Sequence, residues 1–189
     1  SVGKACPKVT IKILDDKNNF VKTGIIGEIA CKTPQIFSGY LNKPQETKYS
    51  FKKNYFKTGD LGYLDQNKYL YLVGRKKNMI IVGGINVYAE DVEEGIKKFP
   101  LVKDCCVIGV EDKKFGEAIL AIIIWKKGVK KDVYELKKHC FKNLADFQQP
   151  LDYKFVKTFP RNTLGKILRK DLKKYFLETN LSNKIGNLM

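Results

Sequence analysis

The sequence predicts an α+β protein in two parts: a β-rich stretch over residues 1–75, then a small α+β domain over 76–176 with helices on a small sheet. Three observations carry this. Short alternating segments joined by Pro/Gly-punctuated connections fill the first part. Amphipathic helical stripes and short apolar runs share the second. The charged residues, 30% of the chain, are spread along it rather than blocked into tails, while 43% apolar and 12% aromatic residues suffice for a core. A tail over 177–189 carries little signal and is expected to be disordered.

The elements follow in order. Val9 to Ile13 alternates apolar and polar as a strand, and Asp15–Asn19 supplies turn chemistry. GEIAC, from Gly27, reads as a second strand, and TPQIFSGYLNKP as a loop. Two short strands flank a turn at Asp65–Lys68, completing a small antiparallel barrel or sheet. From Met79 the pattern changes: MIIV is a strand running into Gly83 and Gly84. A helix over Ala89–Phe99 sets Val92, Ile96 and Phe99 on one face, with Glu90 and Asp91 in its first turn and Pro100 as its stop. CCVIGV and AILAIIIW read as buried strands. Asp132 is an N-cap for a helix with the stripe Val133, Leu136, Cys140 and Leu144. YKFV is a last strand, and Leu168, Leu172 and Phe176 mark a final amphipathic helix. Helices packed on a small sheet is the architecture this order gives.

The net charge of +16 raises nucleic acid as a partner. Arg75, Arg161 and Arg169 are the only arginines, so 33 of the 36 basic residues are lysine. Base and phosphate readers lean on the bidentate guanidinium, so scattered lysine reads as solvated surface and nucleic acid is not expected. Small anions such as nucleotides suit the charge equally well. Five cysteines without a C-x-x-C pair indicate neither a zinc site nor a disulfide framework. A single histidine, His139, excludes a multi-histidine metal site. The longest apolar run, Ala118 to Trp125, is far too short to span a bilayer. The opening residues lack the apolar core of a signal peptide and begin in strand-like sequence. A fragment of a longer, cytoplasmic protein is the expectation.

Three segments gather residues that carry chemistry. Thr58-Gly59-Asp60 places a carboxylate on a glycine turn, where it can accept bonds from vicinal hydroxyls or simply cap its own turn. Gly74-Arg75-Lys76-Lys77, followed by MIIV and Gly83-Gly84, fits either a connection between domains or a hairpin with a solvated basic turn. No phosphate loop of the G-x-x-x-x-G-K-[ST] type is present. Pro160-Arg161-Asn162-Thr163-Leu164-Gly165-Lys166 ends in a lysine that can neutralise charge developing on a phosphate, or that is one lysine among many.

Together, YFKTGDLGYLD, YLYLVGRKKNMIIVGGINVYAEDVEE and FPRNTLGKILRKDL, preceded by GEIACKTPQIFSGYLNKPQET, resemble the adenylate-forming ligases, especially the AMP-forming acyl- and aryl-coenzyme A synthetases. The resemblance covers about residues 1 to 175. It implies that residues 1–75 are the β-rich end of a large adenylating domain and 76–176 a mobile carboxyl-terminal domain. It further implies that Asp60 binds the ribose of ATP, that Arg75 supports the nucleotide, and that Lys77 is the hinge. Gly83 and Gly84 then line the coenzyme A tunnel, and Lys166 is the catalytic lysine of adenylation. ATP, Mg2+ and coenzyme A are the implied cofactors, and a small carboxylic acid the substrate. The phosphate loop, the adenine segment, the Mg2+ ligands and the acid pocket would all lie upstream of Ser1, so no metal ligand is expected here and the fragment alone is expected to be inactive. A carrier protein in place of coenzyme A, or a non-catalytic basic interaction module, are the alternatives.

Overall fold

The computed structural model describes residues 1–185, with side chains through Leu177. It divides into two compact units, Ser1–Lys77 and Asn78 onward.

The first unit is a five-stranded antiparallel sheet. Its strands are β1 (Thr10–Leu14), β2 (Gly27–Lys32), β3 (Phe51–Lys52), β4 (Tyr55–Leu64) and β5 (Leu70–Arg75), with a short helix α1 (Pro44–Ser50) before β3. The order is β1-β2-β4-β3, and β5 also pairs with β4. The expected turns form where their chemistry lies. The Asp15 carboxylate accepts the Asn19 amide at 2.7 Å. The Asp65 carboxylate accepts the amides of Asn67 and Tyr69 at 2.9 and 2.8 Å. α1 and β3 are additions to the sequence reading. No residue of α1 is buried, so it leaves no apolar stripe to detect.

The second unit holds β6 (Met79–Val82), β7 (Ile85–Tyr88), α2 (Ala89–Lys97), β8 (Val102–Asp112), β9 (Gly116–Trp125), α3 (Val133–Asn143), β10 (Asp152–Phe155) and α4 (Arg169–Ile185). β9 is its centre: β8 pairs antiparallel along its whole length on one edge. On the other, β10 runs parallel from Leu120 to Ile123 and β6 meets it at Gly116. Side chains of β8 and β9 alternate between two cores. Cys105, Val107, Ile119, Ala121, Ile123 and Trp125 pack with α2 and α3. Cys106, Ile108, Leu120, Ile122 and Ile124 pack with Phe159, Leu172 and Phe176. Both faces being covered, the strands read as continuous apolar runs rather than alternating ones.

The Asp132 side chain caps α3 through the Glu135 amide at 3.0 Å, as its sequence predicts. β7 is a strand the sequence reading lacks: only Val87 of its four residues is buried, too little for a pattern. α4 runs on to Ile185, so the expected tail overlaps it, and residues 186–189 lie outside the described residues.

Candidate functional site

In the first unit the strand register builds a site around β4. Glu28 pairs with Leu61 and Ala30 with Lys57, so Ile29 alone faces Thr58-Gly59-Asp60, a bulge in β4. Gly59 takes a φ of +75°, open to glycine at no steric cost. The Thr58 hydroxyl donates to the Ile29 carbonyl at 2.9 Å and accepts the Asp60 amide at 3.1 Å, so threonine closes this turn. The Asp60 carboxylate turns instead to Arg75, its cross-strand partner on β5. Nε of Arg75 donates to Oδ1 at 2.6 Å and Nη2 approaches Oδ2 at 3.5 Å. The Asp60 side chain is 32% exposed, which leaves carboxylate lone pairs open to a further donor.

The basic stretch after Arg75 is a connection, not a hairpin: β5 belongs to the first sheet and β6 to the second. A short 3-10 turn, Lys76–Asn78, spans the division. The Lys76 ammonium bonds the buried Glu28 at 3.2 Å, with Asp16 at 3.5 Å. Burial alone would lower the pKa of Lys76, but the bond and charge of Glu28, helped by Asp16, outweigh it and raise the pKa above its ordinary value. Asn78 is tied to the second unit, its amide donating to Glu90 Oε1 at 2.7 Å. Lys77, exposed, stands between these two anchored neighbours.

Gly83 and Gly84 form the two-residue turn of the β6–β7 hairpin, closing on the Val82–Ile85 pair. Both take positive φ, +57° and +84°, as a type I′ turn demands. The Gly83 amide donates to the Phe115 carbonyl at 2.9 Å, which seats the turn beside the β8–β9 reversal.

Lys166 ends a second tight turn. Arg161 bridges Ile167, and the Asn162 amide donates to the Lys166 carbonyl at 2.9 Å. The Asn162 side chain accepts the amides of Leu164 and Lys166 at 3.1 and 2.9 Å. The Leu168 amide closes on the Pro160 carbonyl at 2.9 Å. The backbone is therefore pinned, and the long reach comes from the exposed lysine side chain, whose ammonium has no ion-pair partner among the described residues. Arg161 ties this hairpin to Asp104 on β8, which pairs with Ile124, whereas the Gly83–Gly84 turn sits at Phe115, beyond Asp112. Asp104 and Asp112 are eight residue steps apart along the strand, about 26 Å at ~3.3 Å per step. The two loops thus occupy opposite ends of the β8–β9 ribbon. No group of three or more His, Cys, Asp or Glu side chains forms a candidate metal site among the described residues. No helix among them is long and apolar enough to cross a membrane.

Residues 91–166 match the AMP-binding enzyme C-terminal domain, a match that starts in α2 and ends on Lys166. The chain is 38% identical over 186 residues to the malonate–CoA ligase of Arabidopsis thaliana, covering 92% of this chain and 30% of that protein. It is 40% identical over 146 residues to the long-chain-fatty-acid–CoA ligase of Bacillus subtilis, covering 77% of this chain and 26% of that protein. Its fold matches the o-succinylbenzoate CoA synthetase of Bacillus subtilis in complex with the acyl-adenylate intermediate OSB-AMP, at a TM-score of 0.85 and 36% identity, covering 92% of this chain and 35% of that one. The chain belongs to the adenylate-forming ligase superfamily. It spans about a third or less of the length of each relative.

This superfamily chain also carries residues that the sequence reading passed over. Arg169, at the start of α4, donates to Glu93 Oε2 at 3.0 Å and to the Val107 carbonyl at 2.8 Å. Glu93, 7% exposed, accepts the Val107 amide at 2.7 Å. The two side chains together satisfy the amide and carbonyl of Val107 on the free edge of β8. Asp104 collects Lys97 at 3.2 Å, Arg161 at 2.6 Å and the Cys105 amide at 2.9 Å. Burial would raise the pKa of the Asp104 carboxyl, but these three donors outweigh it and hold it below the ordinary value. The signal available in the sequence was scarcity. With 33 lysines present, all three arginines bind a carboxylate, two of them bridging to a backbone carbonyl as well, geometry a lysine cannot reproduce.

Proposed function

We propose that this chain is the carboxyl-terminal part of an ATP-dependent acid–thiol ligase, working with an upstream adenylating domain in the cytoplasm. The observation that carries the reading is the two-ended second unit, with the Lys166 hairpin at one end of the β8–β9 ribbon and the Gly83–Gly84 turn at the other. A reaction in two half-steps can use one end at a time.

In the first step, a carboxylate oxygen of the acid attacks the α-phosphorus of ATP, and pyrophosphate leaves. Asp60 accepts the ribose hydroxyls, while Arg75 fixes its carboxylate and adds positive charge toward the phosphates. Lys166 brings its ammonium to the α-phosphate and the acyl carboxylate, where negative charge builds up. The second unit then turns about Lys77, a position whose neighbours Lys76 and Asn78 are each tied to a different unit. In the second step the Gly83–Gly84 turn, with no side chain to block approach, borders the pantetheine arm, and the coenzyme A thiol attacks the acyl carbonyl carbon to release AMP. Magnesium would neutralise phosphate charge in the first step. Its ligands would come from the upstream domain.

The acids named for the relatives, malonate, o-succinylbenzoate and long-chain fatty acids, form the first panel. The test is acid-dependent ATP–pyrophosphate exchange by the full-length protein, followed by thioester detection with coenzyme A and with a carrier protein offered separately. Exchange with one acid class and a coenzyme A thioester support the reading. Exchange without either thioester removes the acid–thiol part of it, and no exchange with any acid overturns the ligase activity.

A further inference from the structure

The position of Lys166 is set by a chain of bonds that begins in the core. Cys105 is fully buried in β8, and its amide donates to Asp104 Oδ1 at 2.9 Å. Lys97 on α2 reaches the same oxygen at 3.2 Å. The other oxygen, Oδ2, receives Arg161 Nη2 at 2.6 Å. Arg161 Nη1 in turn donates to the Gly165 carbonyl at 2.8 Å, the peptide group that enters Lys166. One guanidinium thereby joins a carboxylate on a core strand to the backbone of the lysine. The planar fork holds both acceptors in fixed directions, and a single ammonium on a flexible stem does not. The Arg161 guanidinium also lies 6.0 Å from the ring centroid of Phe159, itself buried in the second core.

We propose that Asp104 and Arg161 are a positioning pair for Lys166 in adenylation. The proposal rests on the assignment of Lys166 given above. An exposed lysine side chain has many rotamers, and a displacement of about 1 Å in a catalytic group can cost ~100-fold in rate. Anchoring the peptide group before Lys166 removes the backbone part of that freedom.

The experiment uses the full-length protein and its Arg161→Ala, Asp104→Asn and Lys166→Ala variants, with the Arg161→Ala/Lys166→Ala double variant. Exchange is read with whichever of malonate, o-succinylbenzoate or palmitate supports it, beside thioester formation from the supplied acyl-adenylate. Arg161→Ala and Asp104→Asn should each lower kcat for exchange roughly 10- to 100-fold, with KM for ATP and thioester formation little changed. The double variant should be no slower than Lys166→Ala alone, because Arg161 acts through the lysine. Equal loss in both half-reactions, or a double variant slower by the full Arg161 factor, would overturn the pair's role while leaving Lys166 assigned. Undiminished exchange in Lys166→Ala would overturn that assignment and the pair together. A readout independent of any acid is amide hydrogen exchange over 161–168: Arg161→Ala should speed it, and unchanged protection would overturn the anchoring.

Discussion

Asp60 and Arg75 stand opposite each other in the β4–β5 register and close an ion pair at 2.6 Å, with the arginine side chain half exposed. Exposed pairs of this kind add less than about 1 kcal/mol to stability. Arg75→Ala should therefore leave the denaturant midpoint nearly unchanged. Under the proposed role it should raise KM for ATP about tenfold, the size of one charge-assisted hydrogen bond. A large stability loss with an unchanged KM would assign the pair to the fold instead.

The Glu93–Arg169 pair behaves oppositely, because Glu93 is buried and Arg169 largely so. Removing either partner strands a buried charge, so Glu93→Ala and Arg169→Ala should each cost about 3 kcal/mol. Replacing both by methionine should cost less than either single change. Urea unfolding of the four proteins checks this, and additive losses would contradict it.

Cys106 lies in the second core, where burial pushes its thiol up to about 12. Cys105 and Cys140 are buried and raised by the same cause. At pH 8 all three should resist iodoacetamide in the native protein and react once guanidinium unfolds it. Peptide mass mapping reads the result, and native modification of Cys106 would contradict the packing.

The pH behaviour of the Lys166 hairpin follows from Asp104. Its carboxyl titrates lower in the fold than the ordinary 3.8, so the stability it adds is fully present above that value. That stability is lost as pH falls through the folded pKa. Hydrogen exchange over 161–168 should thus keep its protection from pH 8 to pH 5 and lose it only in stronger acid, after correction for intrinsic rates. Loss of protection near pH 6 would contradict the assignment.

Much of this was legible in the sequence for physical reasons. Strands buried on both faces, such as Ala118–Trp125, announce themselves by continuous apolar runs, and Asp132 marked its helix by capping chemistry. α1 and β7 were not legible, since neither buries enough to leave a period. Of the site, TGD, GRKK, the paired glycines and Lys166 were visible as local motifs. That Asp60 faces Arg75 depends on a bulge and a register, and that Arg161 reaches Asp104 depends on contacts 57 residues apart. Neither can be read from spacing along the chain.

If the two ends of the β8–β9 ribbon serve different half-reactions, single substitutions at each end should separate them. The most direct test is a crossover in the full-length protein: Lys166→Ala and Gly84→Val, each measured for ATP–pyrophosphate exchange and for thioester formation from supplied adenylate. Lys166→Ala should lose exchange by roughly 100- to 1000-fold and keep thioester formation. Gly84→Val, which puts a branched side chain at a φ of +84°, should lose thioester formation and keep exchange. Parallel loss of both activities in both variants would contradict that separation.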